Sequence, residues 1–278
     1  MHNSAGVVVS ETRAMTTAPI RAVHGVAEIA AVTDYFSDVW HTPRTAPPYP
    51  AEVLHSLIHA GGAVHVALDG TRVAGAAVVV LGPEGDTYSL VAAADQGLGL
   101  AVKRAQRAWA LDRGARTMRW TFDPLVGRNA RFNLAKLGAV GTEYLVDFYG
   151  PMADGVNDGD ESDRLTVTWD LTAPAPPAAP PPPGTDDTHD RRAALAPAGV
   201  SAVAPDGGPL TLHDRDGQRV WCRVPDDIVA LRAAAPALAL RWRHAVRAVF
   251  TDAFARGCTA TGMSRDGWYT LTHQEQTA

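Results

Sequence analysis

Two stretches of this sequence carry residue types that chemistry can use. The first is Asp95-Gln96-Gly97-Leu98-Gly99-Leu100-Ala101, between a strand-like run and a helical run. Glycines at a helix start let the backbone approach a ligand, and the free N–H groups and helix dipole there favour phosphate. A tight turn is the equally ordinary reading of such glycines. A Walker loop is excluded, because no Gly-Lys-Ser/Thr follows. The second stretch runs from Trp120-Thr121-Phe122-Asp123-Pro124-Leu125, through Arg128-Asn129-Ala130-Arg131-Phe132-Asn133, to Lys136-Leu137-Gly138-Ala139. A strand end, a polar loop and a helix together make a good place for a site. Asp123 and Asn129 are candidate catalytic groups there, and Arg128 is a candidate substrate contact. The structural alternative is that Asp123 pairs with Arg128 or caps the loop, and that Asn129 caps the helix.

Other candidates are more isolated. Tyr144 and Tyr149 fall on an expected strand, Thr142 to Tyr149, with an odd separation that points them to opposite faces. Tyr149 precedes Gly150-Pro151 at the strand end, which makes it the candidate acid. Asp163-Arg164 reads as a salt-bridged turn. His55 and His59 stand four apart on a short helix without a third ligand, so no metal site is expected. Cys222 beside Trp221 on an apolar strand reads as an inert buried thiol.

The elements that position these residues follow from periodicity. Val26 to Trp40 places Ile29, Val32, Phe36 and Val39 at helical spacing. Ala51 to His59 is a second helix, ended by Gly61-Gly62. Ala63 to Leu68 and Arg72 to Leu81 are β-rich runs around Asp69-Gly70, a hairpin signal. Thr87 to Ala93 is a strand, Gly97 to Arg113 a helix ended by Gly114, Arg116 to Phe122 a strand, Arg128 to Leu137 a helix and Leu165 to Leu171 a strand. Ala173 to Gly184 reads APAPPAAPPPPG, an extended spacer that cannot pack a core. The expected organisation is a polar N-terminus over residues 1–17, an α/β domain over 18–172, a Pro-rich linker over 173–190 and an α+β domain over 191–278 that packs on the first. The latter offers a strand at Arg219 to Val224, a helix from about Leu238 to Arg256 and a hairpin from Thr259 to Leu271.

Composition sets the outer bounds. The chain has 278 residues, 46% hydrophobic and 20% charged, with a net charge of −5. That balance gives no electrostatic reason for a nucleic-acid or anionic membrane partner. Two cysteines without a CxxC pattern fit a reduced, cytoplasmic compartment. No apolar run reaches the ~18 residues of a membrane span, and no signal-peptide pattern opens the chain.

With these residues in view, the chain resembles a known family. The strand, GxG and helix, followed by strand and helix, look like the core of GNAT acyl-CoA N-acyltransferases. WTFDPL, RNARFNLAKLGA, EYLVDFYG and SDRL-V-W resemble a little-characterised subgroup of predicted GNAT acetyltransferases. The resemblance covers roughly Ile20 to Leu171 and extends to VPDDI, LRAAAPALALRWR and TGMSRDGWYTL near the end. It implies a mixed sheet flanked by helices, with acetyl-CoA or another acyl-CoA as co-substrate. Leu90, Val91 and Ala92 would pair with the pantetheine arm. Gln96, Gly97, Leu98 and Gly99 would hold the pyrophosphate, with Ala101 and Asn133 also at the cofactor. Tyr88 would meet the acceptor, expected to be an amine on a small molecule, and a homodimer is compatible.

Three departures accompany the resemblance. The histidines that subgroup members carry are replaced by Thr87-Tyr88-Ser89-Leu90. The Gly loop is short, and its motif can be read from Gln96 or, anchored on Lys103, from Ala94. Leu134 stands where many members have a thiol-protonating tyrosine. Other acyl-thioester chemistry, such as decarboxylation, and a non-catalytic binding role are the alternatives these departures leave.

Overall fold

The computed structural model describes residues 20–150, 160–174, 199–214 and 217–273. The polar N-terminus and most of the Pro-rich linker therefore lie outside the described residues. The chain opens with β1 (Ile20–Val23), α1 (Val26–Val39) and α2 (Ala51–His59), followed by β2 (Ala63–Asp69), β3 (Arg72–Leu81) and β4 (Asp86–Ala94). Next come α3 (Gly99–Asp112), β5 (Thr117–Phe122), α4 (Gly127–Ala130) with a π-turn over Arg131–Lys136, β6 (Val140–Leu145) and β7 (Arg164–Asp170). The last part holds β8 (Gly199–Val203), β9 (Pro209–His213), β10 (Arg219–Arg223), α5 (Ile228–Ala234), α6 (Pro236–Ala255), β11 (Cys258–Met263) and β12 (Trp268–His273).

Local chemistry explains the early elements. The expected apolar stripe of α1 is buried at Ile29, Val32 and Phe36, whereas Val39 at the helix end is exposed. The β2–β3 hairpin turns at Gly70, whose φ of +62° suits a residue without a side chain. Beyond the hairpin, β1 to β4 form an antiparallel meander, β4 and β5 run parallel, and β7 and β6 continue antiparallel. This is the mixed α/β sheet flanked by helices that the sequence leads one to expect. One apolar core joins α1 and α2 to Val64, Val66, Ala76 and Val78. A second joins residues of α3, α4 and α6 through Met118, Leu134, Leu165, Val246 and Phe250.

The C-terminal part does more than lie against the first. Its strands extend the same sheet, giving the order β1-β2-β3-β4-β5-β7-β6-β11-β12-β10-β9-β8. The seam is the antiparallel pairing of Ala260 with Gly141. Gly141 is required there, since a Cβ would lie 2.8 Å from the Cβ of Ala260 and 3.2 Å from Leu165. Gly141→Ala is accordingly expected to lower unfolding stability by about 1–3 kcal/mol through overpacking, read as a lower urea midpoint.

Six elements differ from expectation. β1, β8, β9 and α5 are four to seven residues long, too short for periodicity to declare them. β6 ends at Leu145, and residues 146–149 form a turn. Tyr149 is therefore not a strand residue, and the face argument that paired it with Tyr144 does not apply. The expected helix from Arg128 opens one residue earlier and becomes a π-turn, closed by Leu137 N–H donating to the Phe132 carbonyl at 3.0 Å.

Candidate active site

The parallel pair β4–β5 holds together over three positions only, Asp86↔Thr117, Thr87↔Met118 and Tyr88↔Arg119. Beyond Tyr88 the two strands part. From Ser89 to Ala94, β4 has no β5 partner among the described residues, and its outer backbone edge faces the split. The pairing with β3 shifts at the same point: Val79 opposes Ser89 while Val78 opposes Val91, so Leu90 is the extra residue of a bulge. The bulge reverses the alternation of β4. Ser89 bonds to α3 side chains, whereas Val91, two residues on, joins the core under α1. Leu90 is left 38% exposed in the split, beside exposed Ala92.

The Gly loop lies where β4 ends. Asp95 donates its N–H to the Ala74 carbonyl, and Leu98 closes a turn onto the Asp95 carbonyl at 3.1 Å. Gly97 has φ of +90°, so only a glycine makes this turn without strain. The N–H groups of Gln96, Gly97, Gly99, Leu100 and Ala101 meet no acceptor among the described residues. They form an open helix start, the arrangement that favours a phosphate. Phe132 of the π-turn packs 3.6 Å from where a Gly99 side chain would begin, tying α4 to this helix start. Ala94 remains in β4, paired with Gly75. The Gln96 reading is thus the one that sets the motif on loop and helix. Asn133 is buried in the π-turn, its carbonyl accepting the Ala139 N–H at 3.0 Å.

On the side of the sheet that carries α1 and α2, three tyrosines converge. Burial first, then repulsion from Tyr149 and Tyr88, pushes the Tyr49 hydroxyl up to about 12. Tyr88 pairs across to Val80 and Arg119. Tyr149 is exposed, its ring edge-on to Phe148 at 4.6 Å with the Arg164 guanidinium 5.1 Å away. Its turn is pinned from 160–163: Tyr149 N–H donates to Ser162 Oγ, and Asp147 Oδ1 accepts the N–H of Ser162.

The other polar candidates go elsewhere. Asp123 is 8% exposed, and Arg243 and Arg232 take both its oxygens. Burial opposes its charge, but the two guanidiniums hold its carboxyl below the usual carboxylate range. Fully paired and sealed, Asp123 is a structural carboxylate, which corrects its expected catalytic role. Asp160 completes the cluster, binding both arginines. Asn129 is exposed on α4. It is not a cap, since Val126 precedes the helix. Arg128 lines a small cavity of about 100 Å³ with Asp226, Asp227 and Ile228 of the C-terminal part. Neither joins the three tyrosines at the split, so the expected Asp123-Arg128-Asn129 constellation is dispersed. Tyr144 is half-buried against Phe250 and donates to Asp163 Oδ2 at 2.7 Å. Sequence reasoning missed Tyr49, Ser89, Lys103 and Gln106. A signal existed for the last two, as Lys103 and Gln106 are polar residues on the sheet-facing side of an amphipathic helix.

The splayed parallel pair, the bulge and the open helix start together match the arrangement that the resemblance to GNAT acyl-CoA N-acyltransferases implies. No family model matches the chain, and no curated protein does. Solved structures similar to it include the N-acetyltransferase from Staphylococcus aureus Mu50, with 14% identity, 56% of this chain and 100% of that one, and a TM-score of 0.46. Ard1 from Thermoplasma volcanium shows 18% identity over 57% of this chain and 100% of its own, with a TM-score of 0.45. The acetyltransferase yncA from Salmonella typhimurium, a structure with its cofactor acetyl-CoA, shows 19% identity over 59% and 100%, with a TM-score of 0.45.

Proposed function

We propose that this chain transfers an acyl group, acetyl in the first instance, from acyl-CoA to an amine of a small molecule. The observation that carries this reading is the split between β4 and β5, open along one strand edge and ending at a helix start with free N–H groups. These residues fit the co-substrate chemically. The free N–H groups of Gln96, Gly97 and Gly99 would take the diphosphate, with Leu98 closing the turn and Ala101 in the same first turn. The edge at Leu90, Val91 and Ala92 would take the amide groups of the pantetheine arm, as an added strand does. Asn133 is buried in the π-turn that Phe132 docks against α3 and would support the cofactor side from behind. When bound, acyl-CoA supplies an activated carbonyl carbon. The chain's own part is to align that carbon with an amine in a site partly closed to water. Tyr49, Tyr88 and Tyr149 form the acceptor wall, presenting ring faces and hydroxyls in place of carboxylates. Such a wall suits an amine carried on an apolar or aromatic body.

Calorimetry with CoA and acetyl-CoA tests the reading. Binding is expected for the native chain, and absence of heat at millimolar ligand would overturn it. Gly97→Trp should weaken CoA at least ~10-fold, because a side chain at positive φ distorts the loop and fills the cradle. Circular dichroism should show the fold retained. Unchanged affinity in that variant would remove the loop from the site.

A further inference from the structure

Lys103 is a buried amine for which the cradle has no use. It lies on α3 at 4% exposure, and its Nζ donates to Ser89 Oγ at 2.8 Å. Nζ also sits 3.8 Å from the centroid of the Trp120 ring. Ser89 donates in turn to Gln106 Oε1 at 3.0 Å, and the Gln106 amide donates to the Val78 carbonyl at 3.2 Å. The single hydroxyl proton of Ser89 is thereby committed to Gln106, so Ser89 can only accept from Lys103. This chain of bonds fixes where the amine is. Ser89 is the β4 residue just before the bulge, and Trp120 is the β5 residue just after the last pair, Tyr88↔Arg119. Lys103 therefore bridges the fork at which the two strands part.

Two further features single it out. Among the described residues, no carboxylate forms an ion pair with Lys103. Its neighbours are Ser89 of β4, Gln106 of α3 and Trp120 of β5, none of which titrates near neutral pH. A buried amine without a counter-ion opposes folding at pH 7, so packing does not explain it. The Gly loop lies at the far end of the same edge. Ser89 and Ala94 are five residues apart, roughly 17 Å along the strand, and Gln96 follows two residues further in the turn. A CoA with its diphosphate on the loop and its arm along β4 brings its thioester to the fork.

We propose that Lys103 is the general acid that protonates the departing CoA thiolate. The proposal rests on the acyl-transfer reading above. As the acceptor nitrogen forms its bond to the acyl carbon, the C–S bond breaks and sulfur leaves with the electron pair. Sulfur takes a proton from the Lys103 ammonium, giving free thiol and a neutral amine. The proton that the acceptor nitrogen sheds returns to Lys103 through solvent, so atoms and charges balance. Burial lowers Lys103 to about 7, where an acid both holds and releases its proton at physiological pH.

The chain contains two lysines, Lys103 and the exposed Lys136, so protein carrying 13Cε-lysine gives two resonances, and Lys136→Arg assigns them. The Lys103 resonance is expected to titrate near neutrality and to move when CoA is added. Lys103→Met should lower kcat for acetyl transfer by about 100-fold, with the Kd for CoA within about 3-fold of native. The fall in native kcat above the Lys103 titration should disappear in that variant. A thermal midpoint at or above the native one shows that Lys103→Met is folded. A Lys103 resonance unmoved by CoA, or a variant that keeps kcat within about 3-fold, overturns the acid assignment. If the native protein binds CoA and transfers acetyl while Lys103→Met does so equally, the acid assignment alone falls. If the native protein binds no CoA at millimolar concentration, the acyl-transfer reading falls and the acid assignment with it.

Discussion

Arg243→Met is expected to cost about 3–5 kcal/mol of stability, the largest loss foreseen for a single substitution in this chain. Arg243 is fully buried on α6, and its guanidinium spans Asp123 at the end of β5 and Asp160 before β7. Burial works against its charge, but Asp160 and Asp123 more than offset this and hold it firmly protonated. Removing it leaves two sealed carboxylates with Arg232 as their shared cation. The penalty is thus mostly that of an uncompensated buried charge, beyond the bonds lost. The double variant Arg243→Met/Asp160→Asn removes one charge of each sign and should be less damaged than Arg243→Met alone. Urea unfolding of the two variants reads the difference, and a double variant no better than the single one would contradict this account. The pH dependence follows in sign. Asp123 and Asp160 are held below their ordinary range, so their stabilising contribution is present above about pH 4. It is lost as pH falls through the lowered values, so acid should loosen the joint between the two parts of the chain.

Lys103→Met has the opposite sign, a gain in stability at pH 7 on the order of 3 kcal/mol. An unfolded lysine titrates near 10.4, whereas burial brings Lys103 down to about 7. Between these values the unfolded chain binds a proton that the native chain does not, so native stability rises with pH across that window. Below pH 7 the full cost of burial is present, and at pH 7 nearly all of it. Methionine carries no such cost, and it loses only the contact with Trp120 and the bond to Ser89, about 1 kcal/mol each. Denaturant midpoints from pH 6 to pH 10.5 should show a large advantage for Lys103→Met at the low end that vanishes at the high end. A pH-independent difference would mean that Lys103 stays charged inside the fold. A residue that weakens its own protein at working pH and sits at the fork has a role other than packing.

Much of the fold is legible from local rules. The stripe Ile29, Val32, Phe36, the Asp69-Gly70 turn and the α2 span Ala51–His59 follow from periodicity and turn chemistry and stand as expected. The Gly loop was legible too, because a positive φ at Gly97 is a local demand. Tyr149 was not: its strand ends early because Asp147 adopts φ of +46° and bonds to Ser162, a partner 15 residues away. Asp123 read as a site residue because it sits at a strand end. What neutralises it are arginines 109 and 120 residues further on, and no spacing rule reaches that far.

The helices, the hairpin and the glycine turn follow from local residue patterns, since each depends on bonds between near neighbours. Three features came from packing instead: β4 and β5 part after Tyr88, Leu90 bulges, and the last five strands extend the first sheet. Those features arise from pairing across distant segments, where one register excludes another by burial and sterics, as Gly141 against Ala260 shows. The same long-range packing took Asp123 out of the chemistry and left Lys103 at the fork.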